Sequence, residues 1–207
     1  MGSTVVVAGV SDHYACAHCV CVAAEGGVLK VLDRRELRLI GSDVPSSPYH
    51  HDTLGMDDRE ADALLQVVGR SVREHTHAAL RGLQEALGRS AQLRAMAIRT
   101  PPLEHMPQSA AEAHASYFVQ CRADGMLYHH ALTSAAADLG MEVVTHARGE
   151  EIANAARALG MDEPAIKTFL AREGKRLGPP WTREHQGAAA GALAVLARYA
   201  GKVTALA

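Results

Sequence analysis

The sequence predicts an α/β protein built on one mixed sheet with helices packed against it. Three observations carry this. The opening forty or so residues hold three β-rich runs joined by short turn signals. Two later β-rich runs, Leu93 to Ile98 and Met141 to Thr145, each follow a stretch of helical periodicity. Three further helical patterns close the chain. Antiparallel strands followed by strands that return through helices give a sheet of mixed direction.

The elements follow in order. Thr4 to Val10 is a continuous run with Val5, Val6, Val7 and Val10, the pattern of a strand buried on both faces. Tyr14 to Ala24 is a second strand rich in Cys, Val and Ala, and Glu25-Gly26-Gly27 is a turn, because glycine adopts positive φ at little cost. Val28 to Leu37 is a third strand, whose charge suits an edge. Gly41 to Gly55 reads as a loop, with Pro45 and Pro48. Asp57 caps a long helix whose apolar stripe runs through Leu64, Val68, Val72, Ala79, Leu83 and Leu87 to a stop at Gly88. After the fourth strand, Pro101-Pro102 breaks the chain. Helix resumes at Ser109 and runs to Leu139-Gly140 with a break expected near Gly125. The fifth strand is followed by helices over Glu150 to Leu159, Glu163 to Arg176 and Arg183 to Tyr199, the last rich in alanine and able to lie close on a sheet.

Composition bounds the function. The chain has 207 residues, enough for a single domain over 1–207, and its hydrophobic and charged fractions, 48% and 21%, are those of an ordinary globular protein. The formal net charge of −2 does not support tight, nonspecific binding of nucleic acid, which draws most of its affinity from basic residues. A local basic groove is compatible with that charge. No signal-like or membrane-spanning stretch is evident, so a cytoplasmic protein without a membrane partner is expected, with its four cysteines as free thiols.

The order of elements is that of the ribonuclease H-like fold, a five-stranded sheet with the first three strands antiparallel and the fourth and fifth parallel. Within it the chain resembles the RuvC type of Holliday-junction resolvase over nearly its whole length. Ala8-Gly9-Val10 is similar to the end of that family's first strand, where Gly-Ile-Asp is usual. Ala95-Met96-Ala97-Ile98-Arg99 resembles the fourth, which normally ends in Ile-Glu. Gln108-Ser109-Ala110 opens the next helix similarly. Met141-Glu142-Val143-Val144 with Arg148 resembles the fifth strand and its exit. Ala189-Ala190-Gly191-Ala192-Leu193-Ala194 resembles the final helix, where the family has Ala-Ala-Asp-Ala-Leu-Ala.

The resemblance implies four carboxylates around two Mg²⁺ or Mn²⁺ ions, a homodimer and a phosphoryl-transfer reaction. Carried over, those four positions read Ser11, Arg99, Ala188 and Gly191, none of them a carboxylate, and an arginine there would repel a metal. Neighbouring residues offer a relocated site: Asp12 at the same strand end, with Glu184 and His185 at the start of the closing helix, and Glu104 a few residues past the fourth strand. The plainer account makes Asp12 a turn residue and Glu184 a helix-start carboxylate favoured by the dipole.

Other clusters offer a metal or ligand reading beside a plainer one. His50, His51 and Asp52, after Pro48-Tyr49, form a second candidate metal or ligand site in an unusually long loop, against the plain reading of a packed surface loop. His13, Cys16, His18, Cys19 and Cys21 suggest zinc, but Cys16 and Cys19 point to opposite faces of a strand and no second Cys pair follows. Tyr128-His129-His130 lies inside a helix, where adjacent residues diverge by roughly 100° and do not easily share one metal. Arg70, Arg73, Arg81 and Arg89 alternate with Glu74 and Glu85, as on a solvated face. No phosphate-binding glycine loop or serine nucleophile motif is present.

Three functions are therefore expected, in order: a RuvC-like domain with a degenerate nuclease site that binds or scaffolds; a Mg²⁺- or Mn²⁺-dependent nuclease using Asp12, Glu184 and His185, helped by His51; and a small-molecule or metal binder using the His50-His51 loop.

Overall fold

The computed structural model describes residues 3–199 and the backbone of 205–206. Strands β1 (Thr4–Asp12), β2 (Cys16–Glu25) and β3 (Val28–Arg38) form an antiparallel meander. A π-helical turn (Pro48–Asp52) and the long helix α1 (Asp58–Leu87) lead to β4 (Ala91–Arg99). Helices α2 (Ala110–His114) and α3 (Tyr117–Asp138) precede β5 (Glu142–His146). Helices α4 (Glu151–Leu159), α5 (Glu163–Leu177) and α6 (Arg183–Leu196) follow. The sheet order is β5-β4-β1-β2-β3-β6, with β4 parallel to β1 and to β5. This is the expected mixed five-stranded sheet, lengthened by a two-residue β6 (Ala205–Leu206) parallel to Val28 and Leu29.

Strand alternation divides the core in two. Val6, Ala8 and Val10 of β1 face α1 and α3, with Leu80, Leu83, Tyr128 and Leu132. Val7 faces the other way, with Phe169, Ala189, Ala192 and Leu193. On that second face α6 lies almost on β1: a β-carbon on Gly9 would be 1.7 Å from the Ala188 carbonyl oxygen. The alanine-rich sequence of α6 and the glycine of β1 are two halves of one contact.

Three local expectations are corrected. The helical break falls at Ala115-Ser116, where Ser116 is extended, and Gly125 is helical within α3. Tyr14 and Ala15 belong to the β1–β2 turn, closed by His13 N–H donating to the Cys16 carbonyl at 2.9 Å, with Ala15 at φ 66°. The loop before α1 carries a helical turn, pinned by Asp124 of α3, whose carboxylate accepts the Tyr49 and His50 N–H groups at 2.9 and 3.1 Å. The edge of β3 is covered from α5. Beside the bulge, Val31 N–H donates to Glu173 and the Val31 carbonyl accepts from Arg176, and Arg34 of β3 donates to the Gly178 carbonyl at 2.7 Å.

Among the described residues no helix is long and apolar enough to cross a membrane, and all four cysteines are free.

Candidate functional site

The C-terminal ends of β1 and β4 and the first turns of α4 and α6 meet at one end of the sheet. Period-two alternation sends Ser11 toward α6, on the same face as Val7 and Gly9. Arg99 is the last residue of β4, in register with His146 at the end of β5. Glu151 opens α4, and Glu184 is in the first turn of α6; both positions favour a negative charge.

These residues form one network. Arg99 Nη2 donates to Glu184 Oε2 at 2.9 Å, and its Nε donates to Glu151 Oε1 at 3.5 Å. Ser11 Oγ donates to the same Oε2 of Glu184, and His13 Nε2 is 3.6 Å from it. His146 Nδ1 is 3.9 Å from Glu151 Oε1. The side chains of Arg99, Glu151 and Glu184 are 18%, 9% and 24% exposed, so the guanidinium is shielded between two carboxylates.

The electrostatics follow. The Ser11 hydroxyl bond, then the Arg99 charge, hold the Glu184 carboxyl below its ordinary value, against the opposing effect of burial. Burial pushes Glu151 up, but the N–H groups of Glu151 and Gly149, with His146 and Arg99, outweigh it and bring the carboxyl down. Both acids are thus held ionised around one cation. The guanidinium is the cation that bridges the two acids.

Of the four positions where the resemblance expects a carboxylate, Ser11 and Arg99 are in this network. Ala188 is packed on β1. Gly191 faces His146: a β-carbon there would be 2.9 Å from His146 Nε2, so the imidazole fills the space that a side chain at 191 would need. Beside it, a groove of about 510 Å³ runs between β5, α4 and α6, lined by His146, Glu151, Asn154, Arg157 and Arg198.

The residues proposed as a relocated site are not brought together. Asp12 is one residue beyond Ser11 and points to the opposite face, toward His129 of α3. His185 is buried and serves the helix start. Its Nδ1 accepts the Thr182 N–H at 3.2 Å and lies 2.8 Å from the Thr182 hydroxyl. Burial, then His18 and Arg34, lower its pKa and favour the neutral ring that this acceptor role needs. Glu104 is exposed, beside His105. His50, His51 and Asp52 do not converge either. The two rings lie tilted to each other at 36° with centroids 4.1 Å apart, His50 Nε2 approaches Cys121 Sγ at 3.7 Å, and the Asp52 carboxylate turns back to the Ser47 N–H at 3.3 Å. Among the described residues, no three His, Cys, Asp or Glu side chains are grouped to hold a metal.

Sequence reasoning missed Glu151, His146 and Asp124. Glu151 had a visible signal, an acid at a helix start directly after the fifth strand. Asp124 had none beyond being a lone acid inside a helical pattern.

No family model matches the chain, and neither does any curated protein. Among solved structures it is similar to RuvC of Thermus thermophilus, with a TM-score of 0.51 and 15% identity over 94% of this chain and 95% of that one. It is equally similar, at TM-score 0.51 and 14% identity over 96% and 97%, to T. thermophilus RuvC in complex with a Holliday junction substrate. At that identity the likeness is one of fold, which is RuvC-like and ribonuclease H-like.

Proposed function

We propose that this chain is a RuvC-like domain whose nuclease centre has been replaced by an ion-paired network, and that it acts by binding rather than by cutting. The observation that carries this reading is Arg99, at a position where the resemblance expects a metal ligand, bonded to both Glu151 and Glu184. A two-metal phosphoryl transfer needs carboxylates free to share two dications. Here the two acids at the site already share a monocation, and Ser11 donates a proton toward Glu184 where an acceptor would be required.

The ligand inferred first is branched nucleic acid, since the similar T. thermophilus RuvC is in complex with a Holliday junction substrate. Arg157 in the groove beside Arg99 supplies local positive charge that the net charge of −2 does not, while Arg198 at the same groove is paired with Glu142 at 3.3 Å. The resemblance also implies a homodimer, which light scattering on the purified chain reads directly.

The experiment is a titration of labelled four-way-junction DNA with Mn²⁺ present, at low and at physiological salt, reading retention and cleavage together. Salt-sensitive retention without cleavage is expected. Cleavage by the unaltered chain that stops with excess chelator overturns the proposal. Absence of retention at both salts refutes the nucleic-acid part and leaves a protein partner as the scaffold's ligand.

A further inference from the structure

A second cavity lies on the helices that cover the sheet face opposite Arg99. It holds about 550 Å³ between α1, α3 and the segment leading into α2, within the size range of small-molecule sites. Leu65 of α1, Leu127 of α3 and Met106 give it apolar walls. Along α1, Asp62, Gln66, Gly69 and Arg73 follow at steps of three or four residues, so one helical stripe runs the length of the cavity from an acid to a base.

The basic end holds two cations without counterions. Among the described residues the arginine ion pairs are those of Arg35, Arg99, Arg176 and Arg198, so Arg70 and Arg73 have none. Arg73 bends back over the buried Gly69, with its Nη1 3.5 Å from where a β-carbon there would be. At the acid end, Asp62 Oδ1 accepts the Ala110 N–H at 2.8 Å, and nothing among the described residues bonds its other oxygen. Tyr49 also lines the cavity and is 6% exposed. Its N–H donates to Asp124 and its carbonyl meets His114, but its hydroxyl has no partner among the described residues. Burial, then the charges of Asp124, Asp62 and Glu112, push that hydroxyl up to about 12, so at neutral pH it is a donor. A buried donor without an acceptor is costly, and a ligand atom would relieve it.

We propose that this cavity binds a nucleoside monophosphate whose base carries an amino group. A phosphate monoester brings close to two negative charges at neutral pH, which Arg70 and Arg73 match, and a guanidinium forks onto phosphate oxygens. The base packs between Leu65, Met106 and Leu127. The free oxygen of Asp62 accepts from its amino group, and the Tyr49 hydroxyl donates to a ring nitrogen. The span fits, because seven residues of helix, about 10 Å, separate Asp62 from Gly69, where the Arg73 guanidinium lies. An inorganic anion would use the basic end alone. The cavity shares no residue with the Arg99 network or the groove beside it, so its occupancy is independent of junction binding.

The test is calorimetric titration of the full chain with AMP and with CMP, beside IMP, adenosine and inorganic phosphate. One nucleotide per chain is expected. Combining Arg70→Gln with Arg73→Gln should weaken AMP binding at least about tenfold, and adenosine and inorganic phosphate should each bind at least about tenfold more weakly than AMP. Tyr49→Phe should weaken AMP about fivefold, the loss of one hydrogen bond. IMP, with a carbonyl in place of the amino group, should bind more weakly than AMP, and Asp62→Asn should remove that preference. Arg157→Gln, in the groove beside Arg99, should leave AMP binding unaltered. No stoichiometric binding of either nucleotide, or binding unchanged in the double arginine variant, overturns the proposal. Inorganic phosphate binding as tightly as AMP overturns it too, since the base would then have no site. Loss in Arg157→Gln alone would place the nucleotide in the other groove and overturn it equally.

Discussion

Replacing Arg99 by methionine is the sharpest test of the network at the sheet end. Methionine keeps the length of the side chain and removes the charge. It leaves Glu151, 9% exposed, and Glu184, 24% exposed, without their cation. Breaking a buried pair from one side costs about 3–5 kcal/mol, and the partial exposure of Glu184 reduces this, so a loss of about 2–4 kcal/mol at pH 7 is expected. The pH dependence identifies the cause. In the wild type both glutamates titrate below their ordinary value of 4.5, so their stabilisation is complete above that pH and is lost as pH falls through the depressed folded values. In the variant the two acids face each other across an apolar side chain. Their folded values rise, and the variant gains relative stability as the pH drops and they protonate. The difference between the two proteins should therefore be largest near neutrality and shrink steadily toward pH 4. Urea denaturation at pH 7, 5.5 and 4 measures it. A difference that is constant with pH, or under about 0.5 kcal/mol at pH 7, would show that Arg99 contributes packing and no electrostatic anchoring.

Gly9→Ala should lower stability by more than about 3 kcal/mol or abolish folding, because its new methyl would meet the Ala188 carbonyl on the rigid backbone of α6; a thermal melt reads this. His185→Ala should cost about 1 kcal/mol through loss of the helix-start contact with Thr182, read by urea denaturation at pH 7. Asp124→Asn should change the pH profile in the opposite sense to Arg99→Met. Burial pushes the Asp124 carboxyl to about 6, above the unfolded 3.8, so this group favours the folded state most below 3.8 and loses that advantage as pH rises to about 6. The variant should lack that decline, about 3 kcal/mol at most, in denaturation midpoints followed from pH 4 to 7.

What could be read from the sequence was what obeys short-range rules. The valine run of β1, the glycine turn before β3 and the Asp57 cap of α1 are local, and the structure has each. The failures have two physical sources. Ending the first strand at Val10 hid the consequence of period two: once the strand continues to Asp12, Ser11 and Asp12 must face opposite sides of the sheet. Asp12 cannot then join Glu184 and His185 on α6, and its partner comes from α3. The second source is tertiary. Nothing within a few residues of Arg99 indicates that Glu151 and Glu184, 52 and 85 positions away, will close on its guanidinium. Nor does a histidine pair in a proline-bearing loop reveal that Asp124 will hold its backbone in a helical turn.

The departures from the expected carboxylate set also support one another, which makes the network a single unit. An aspartate at 11 would put its charge against Glu184, which the Ser11 hydroxyl now touches as a donor. A glutamate at 99 would face both Glu151 and Glu184 with no cation among them. Any side chain at 191 would meet His146, whose ring is 2.9 Å from where its β-carbon would be. Restoring one carboxylate at a time should therefore destabilise the fold without creating a metal site. Gly191→Asp is the cleanest instance. It should cost about 1–3 kcal/mol from overpacking, and His146→Ala in the same chain should recover most of it, a coupling that a double-mutant cycle reads directly. If Gly191→Asp is neutral by itself, His146 does not occupy that space, and the account of a mutually fitted network loses its geometric half.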